Sequence, residues 1–167
     1  ELGLDAARKL KPFGYRLAGW SLGRKAEPGV ESFAGPDELG AFLARTDILV
    51  CLLPLTAATR GILNARAFAQ LPRGGRSVNA ARGGHLVEAD LLAALDEGRI
   101  GGATLDVFER EPLPAMSPLW SHPKVIVTPH IAALTDARST AGQMAESMAR
   151  VRAGGRPLYE VDLRRGY

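Results

Sequence analysis

The 167 residues suit a single domain, and 46% apolar with 23% charged residues exclude a disordered or collagen-like chain. The longest apolar stretch, Ile48-Leu49-Val50-Cys51-Leu52-Leu53, falls far short of the ~20 residues that span a bilayer. The net charge of +3 comes from scattered basic residues without aromatic interleaving, which argues against a nucleic-acid surface.

Glu1 to Leu10 reads as a helix with neither an N-cap nor a preceding strand, and it resembles no signal or transit peptide. Tyr15 to Trp20 reads as a short strand, and Pro36 to Arg45 as a helix opened by Gly35-Pro36-Asp37. Asp47 to Leu53 is expected to be a strand buried throughout, because parallel sheets favour unbroken apolar runs. Its one cysteine, Cys51, can form no internal disulfide and fits a reducing, cytoplasmic setting. Asn64 to Gln70 reads as a short helix, and Arg76 to Ala80 as a strand after the Arg73-Gly74-Gly75 turn. Glu88 to Gly98 has the apolar spacing of a helix, closed by its terminal glycine. Two short strands are expected at Ala103 to Val107 and Val125 to Thr128. A long helix, Asp136 to Ala153, and an irregular tail, Arg156 to Tyr167, complete the chain.

Alternating strands and helices imply βαβ units and a mostly parallel, right-handed α/β sheet. Ligands of such sheets bind beyond the carboxyl ends of the strands. The polar residues at those positions include Arg82, Asp106, Glu111 and His130. Each alone has an ordinary reading: a solvated arginine, a turn-capping aspartate, surface charge, a loop histidine. Gathered at one sheet edge, they have a chemical meaning. A histidine passes protons near neutral pH, a carboxylate holds it protonated, and an arginine grips a substrate carboxylate. His122 sits in a loop and carries no such argument, and His85, which follows Gly84 near the same edge, is better read as structural. No metal-ligand cluster is expected.

Three segments, Asn79-Ala80-Ala81-Arg82-Gly83, Leu105-Asp106-Val107-Phe108-Glu109-Arg110-Glu111-Pro112 and Thr128-Pro129-His130-Ile131-Ala132-Ala133, resemble the signatures of the D-isomer-specific 2-hydroxyacid dehydrogenases in order and spacing. Gly19-Trp20-Ser21, Pro28-Gly29-Val30, Ser32-Phe33-Ala34-Gly35, Ser117-Pro118-Leu119-Trp120 and Arg165-Gly166-Tyr167 extend the likeness to essentially the whole chain, toward the members that reduce glyoxylate and hydroxypyruvate. The resemblance implies a doubly wound, Rossmann-type sheet and NADPH-dependent hydride transfer to a small 2-oxo acid.

His130 would then give a proton to the substrate carbonyl oxygen, Glu111 would keep His130 charged, and Arg82 would orient the substrate and stabilise developing negative charge. Residues 1–133 would form the NADP-binding domain, and 134–167 a helix and tail returning to a substrate domain. The cofactor would lie along Gly3, Trp20, Ser21, Arg24, Lys25, Leu53, Pro54, Thr59, Ala80, Arg82, Asp106, His130 and Ala132, with Asp106 against the nicotinamide carboxamide. About 20 residues beyond the glycine turn, NAD-binding folds place an acid for the ribose 2′-hydroxyl. Here Trp20 to Lys25 holds none and offers Ser21, Arg24 and Lys25, which suit a 2′-phosphate and favour NADPH over NADH.

The departure from the family pattern is large. Of the three glycines of the dinucleotide fingerprint only Gly3 is present. The first strand and the substrate domain, with the segment through which these enzymes usually form homodimers, are expected to precede Glu1. In the strand order 3-2-1-4-5-6, the strand at Tyr15–Trp20 is expected to be the second and that at Arg76–Ala80 the fourth, about 9.6 Å apart across the place of the first. Two other readings stay open: a non-catalytic dinucleotide-binding or interaction protein, and an inactive truncated fragment of such an enzyme.

Overall fold

The computed structural model describes residues 2–133 and 136–162. It divides into two compact units, Glu1–His130 and Ile131–Tyr167. In the first, helix α1 (Leu2–Leu10) leads through a short 3-10 turn to strands β1 (Leu17–Ser21) and β2 (Val30–Ala34). Helix α2 (Gly35–Ala44), β3 (Ile48–Cys51), α3 (Ala65–Gln70), β4 (Gly75–Asn79), α4 (Glu88–Asp96), β5 (Ile100–Leu105) and β6 (Val125–Val127) follow. The second unit contains helix α5 (Ala137–Arg152), and no further helix or strand follows among the described residues. The sequence expectations for Glu1 and for Arg165 to Tyr167 lie outside the described residues.

All strand pairings are parallel, as βαβ connections require. The strands form two sheets: a pair β1-β2 and a four-stranded sheet in the order β3-β4-β5-β6. The expected order needs one correction. Val30–Ala34 is a strand that the sequence reading omits, so the strand at Gly75–Asn79 stands one strand later in chain order than expected. Both edges of β4 are occupied, by β3 and β5, and the sheet ends at β3. The omission has a local cause. Val30-Glu31-Ser32-Phe33-Ala34 shows neither clean alternation nor an unbroken apolar run, and its pairing with β1 is set by tertiary contacts.

A second correction concerns β3. Only Leu49 and Cys51 are buried, while Ile48 and Val50 are 55% and 44% exposed. An edge strand with a single covered face alternates, whatever its composition. Burial pushes the Cys51 thiol pKa up, which suits a small core hydrophobe rather than a nucleophile.

The core lies between the inner face of the four-stranded sheet and helices α3 and α4, with Phe68, Leu71, Leu91, Leu95, Ile100 and Leu105 fully buried. Local signals place the helix starts. Asn64 caps α3 by accepting the Ala67 N–H at 3.1 Å, and Asp136 caps α5 through the Ser139 N–H at 2.8 Å. β5 begins three residues before the expected Ala103, at Ile100, although Gly101 and Gly102 read as breakers. A Cβ at Gly101 would stand 2.4 Å from the Gly74 carbonyl oxygen, so the close approach of two chain segments requires this glycine. Among the described residues no helix is long and apolar enough to cross a membrane.

Candidate functional site

The carboxyl ends of β4, β5 and β6 bring three loops together. After β4, the fully buried Asn79 accepts the Ala81 N–H through Oδ1 at 3.2 Å and donates from Nδ2 to the Arg82 carbonyl at 3.1 Å, folding the chain into a tight turn. Gly83 then passes against the backbone of the β5 loop, where any Cβ would fall 1.9 Å from the Phe108 carbonyl carbon and oxygen. After β5, the Asp106 N–H donates to the Asn79 carbonyl at 3.0 Å, and the buried Asp106 carboxylate accepts the Thr128 hydroxyl. After β6, His130 adopts a left-handed backbone conformation, φ 56°. That region is uncommon for a residue with a Cβ and is concentrated at functional sites.

These loops enclose an open cleft of about 260 Å³, whose lining includes Arg82, Gly84, Phe108, Glu111 and His130. His130 and Glu111 meet there, Nδ1 to Oε2, at 2.9 Å. The other carboxylate oxygen of Glu111 accepts the Phe108 N–H at 3.0 Å. Both contacts favour the ionised carboxylate. The His130 ring foremost, then the Phe108 amide, hold the Glu111 pKa below the ordinary glutamate value against a smaller opposing effect of burial. With Nδ1 committed to Glu111, Nε2 is the ring atom left to act on a ligand. The Arg82 guanidinium donates to the Ala81 carbonyl at 2.6 Å and keeps further N–H groups for a ligand.

The direction of the Glu111 shift gives a pH expectation. A carboxylate depressed in the folded state contributes stability that is complete above its unfolded pKa and lost as pH falls through its folded one. The Glu111 carboxyl carbon, followed by NMR, should titrate below an ordinary glutamate, and His130→Ala should move that midpoint upward. An unmoved midpoint would show that His130 does not hold the carboxylate.

The other residues singled out in the sequence fall elsewhere. Arg24 and Lys25 line a separate concavity beyond β1, with Glu27, Pro28, Val30 and Ser32. Gly3 lies in α1. Trp20 and Ser21 end β1, where the Trp20 indole N–H donates to the Gly35 carbonyl at 2.8 Å and the Ser21 hydroxyl to Gly23 at 2.7 Å. Leu53 and Pro54 follow β3, and Ala80 follows β4, its N–H donating to the Cys51 carbonyl at 3.3 Å. Ala132 belongs to the second unit. Thr59 needs correcting as a cleft-lining residue. It is 1% exposed, and its hydroxyl donates to the Pro54 carbonyl at 2.7 Å and accepts the Thr56 N–H at 2.9 Å, so it shapes the loop after β3 from inside.

Two further side chains shape these loops, His85 in the structural role expected of it and Glu38, which the sequence did not single out. His85 is fully buried, with Nδ1 3.0 Å from the Arg82 carbonyl and Nε2 3.2 Å from the Pro54 carbonyl, and so clamps the β3 and β4 loops together. Its place right after Gly83-Gly84 was the available signal. Glu38, in the first turn of α2, pairs with Arg24 and belongs to none of the segments that carry the resemblance.

Comparisons with known proteins place the chain in a family. Residues 1–132 match the family model described as the D-isomer specific 2-hydroxyacid dehydrogenase, NAD binding domain. The chain is 51% identical over 166 residues to a glyoxylate/hydroxypyruvate reductase A of Klebsiella pneumoniae strain 342, covering 99% of this chain and 53% of that protein. The chain thus spans about half the length of the curated relatives it matches. Among solved structures, a D-isomer specific 2-hydroxyacid dehydrogenase from Xanthobacter autotrophicus Py2, in complex with NADPH and MES, superposes with a TM-score of 0.96 at 49% identity, covering 99% of this chain and 69% of that one. An NADPH-dependent glyoxylate/hydroxypyruvate reductase from Sinorhizobium meliloti, in complex with NADP and sulfate, has a TM-score of 0.93 at 49% identity and covers 99% and 54%. A parallel α/β sheet with an arginine, a glutamate and a histidine at its carboxyl edge, a family match over most of the chain and close structural likeness have one reading: the chain belongs to the D-isomer specific 2-hydroxyacid dehydrogenases.

Proposed function

We propose that this chain carries the dinucleotide-binding and proton-donating part of an NADPH-dependent reductase of small 2-oxo acids, with glyoxylate and hydroxypyruvate as substrates. The observation that carries the reading is the cleft itself, where Arg82, Glu111 and His130 share one lining and Glu111 holds His130 Nδ1 at 2.9 Å. The names of the relatives support the substrate class and the cofactor.

Arg82 would grip the carboxylate and carbonyl oxygens of the 2-oxo acid and stabilise negative charge as it develops. His130 would donate its Nε2 proton to the carbonyl oxygen, while Glu111, kept ionised, holds the ring in orientation. Bound NADPH would supply the hydride. The residues beyond β1 fit the phosphorylated cofactor. Arg24 and Lys25 with the Ser32 hydroxyl form a donor set suited to a phosphate monoester, and the Lys25 ammonium has no side-chain partner among the described residues. The two nearby acids are already neutralised, Glu27 by Arg8 and Lys11, and Glu38 by Arg24.

The test uses the full natural polypeptide, with glyoxylate or hydroxypyruvate and either reduced cofactor, followed by loss of cofactor absorbance. Turnover with preference for NADPH is expected, and replacing both Arg24 and Lys25 by Ala should erode that preference about tenfold or more by removing two charged contacts. Preference for NADH in the unmodified protein would contradict the cofactor assignment. Tight binding of NADPH with no turnover of any 2-oxo acid would favour a non-catalytic binding protein instead.

A further inference from the structure

Arg24, the arginine read as facing the 2′-phosphate, does not stand free. Its Nη1 donates to the Ser32 carbonyl of β2 at 2.6 Å, and its Nη2 donates to Glu38 Oε1. Glu38 is itself held. Its second oxygen, Oε2, accepts the Ala34 N–H at the start of α2 at 2.7 Å. That amide first, and Arg24 after it, keep the Glu38 carboxyl below the usual carboxylate range, so the acceptor stays ionised at neutral pH. Two elements thus converge on one guanidinium, β2 through a backbone carbonyl and α2 through a braced carboxylate. Two of its five N–H groups are spent, and three remain.

We propose that Glu38 is a positioning residue for cofactor choice: it fixes the Arg24 guanidinium for contact with the 2′-phosphate of the adenosine ribose. This rests on the NADPH reading above and deepens it. An arginine on a flexible loop loses much rotamer freedom when it binds a phosphate, and a brace that orders it beforehand removes that loss from the binding step. The same carboxylate would oppose the phosphate on charge alone, so the two effects have opposite signs. The brace prevails here because Glu38 is already hydrogen-bonded by the Ala34 amide and paired with the arginine, while exposure to solvent screens its repulsion of a third group.

The opposed signs make the test decisive. Binding of adenosine 2′,5′-bisphosphate and of 5′-AMP to the full natural polypeptide is measured by calorimetry for the unmodified protein, Glu38→Ala, Glu38→Gln, Arg24→Ala and the Arg24→Ala/Glu38→Ala pair. Glu38→Ala should weaken the bisphosphate about five- to tenfold and leave 5′-AMP unchanged, with Glu38→Gln in between because its amide oxygen still accepts. Glu38→Ala should have no further effect once Arg24 is alanine. Tighter or unchanged bisphosphate binding in Glu38→Ala would overturn the proposal. So would equal weakening of both probes, or a loss confined to 5′-AMP, which would make Glu38 a ribose 2′-hydroxyl acceptor. An unmodified protein that does not distinguish the probes would overturn the NADPH reading itself, a separate result. Thermal melting of each variant checks that the fold is kept.

Discussion

Under the proposed reduction, replacing His130 by alanine is expected to lower turnover of a 2-oxo acid by at least about 10²-fold, the smaller end of what a positioned general acid contributes. The reason lies in the cleft. The Glu111 carboxylate holds one ring nitrogen at 2.9 Å, so the ring meets a ligand through the other. With alanine no group at that position could supply the proton, whereas on the proposed reading Arg82 would still bind the substrate. The loss should therefore fall on kcat, with KM little changed. His130 is about half exposed, at 48% of its side-chain surface, so the substitution opens no core cavity and thermal stability should stay close to that of the unmodified protein. Steady-state kinetics in the full natural polypeptide decide the matter. Turnover within a few-fold of the parent would remove His130 from the chemistry.

The second large effect is steric. Gly83→Ala would place a methyl group 1.9 Å from the Phe108 carbonyl carbon and oxygen and 2.3 Å from the Glu109 nitrogen. All three are backbone atoms, so no side chain can swing away, and the Arg82 loop must separate from the Glu109 loop. Overpacking of a well-packed site costs about 1–3 kcal/mol and occasionally more, and a clash with backbone belongs at the upper end. Destabilisation of about 3 kcal/mol, or a fall in melting temperature of roughly 6–12 °C for a chain of this size, is expected. Because the displaced loop carries Arg82 away from Glu111 and His130, activity should fall even in the fraction that remains folded. Denaturant unfolding and kinetics on the same preparation test both parts. An alanine variant as stable and active as the parent would mean that the loops do not approach as closely as described.

Much of this protein was legible without coordinates, for identifiable reasons. The helix at Glu88–Asp96 announces itself by apolar spacing, and the caps Asn64 and Asp136 sit where a short oxygen-bearing side chain must satisfy free N–H groups. Alternation of strand and helix was enough to imply a parallel sheet. The rule that ligands gather beyond strand carboxyl ends then selected Arg82, Asp106, Glu111 and His130 from the chain's many charged residues. All of these signals are local or periodic. They depend on neighbours within a few positions, and a sequence displays such neighbours directly.

What the sequence left open depends on contacts between distant segments. Val30–Ala34 becomes a strand because β1 lies beside it, and β5 reaches back to Ile100 because Gly101 lets two chain segments touch. Ile48 and Val50 are as apolar as their buried neighbours, and which face of β3 the rest of the fold covers decides that they are exposed. The site shows the same division. Residue types near strand ends could be named in advance, but not that His85 bridges carbonyls 31 and 3 positions before it, nor that Thr59 turns its hydroxyl inward. Glu38 was invisible because its partner Arg24 lies 14 positions away across a strand and a turn. Chemistry-bearing side chains and their order along the chain are properties of the sequence. Which of them meet, and at what distance, is decided by the long-range packing that pays the entropy of bringing remote segments together.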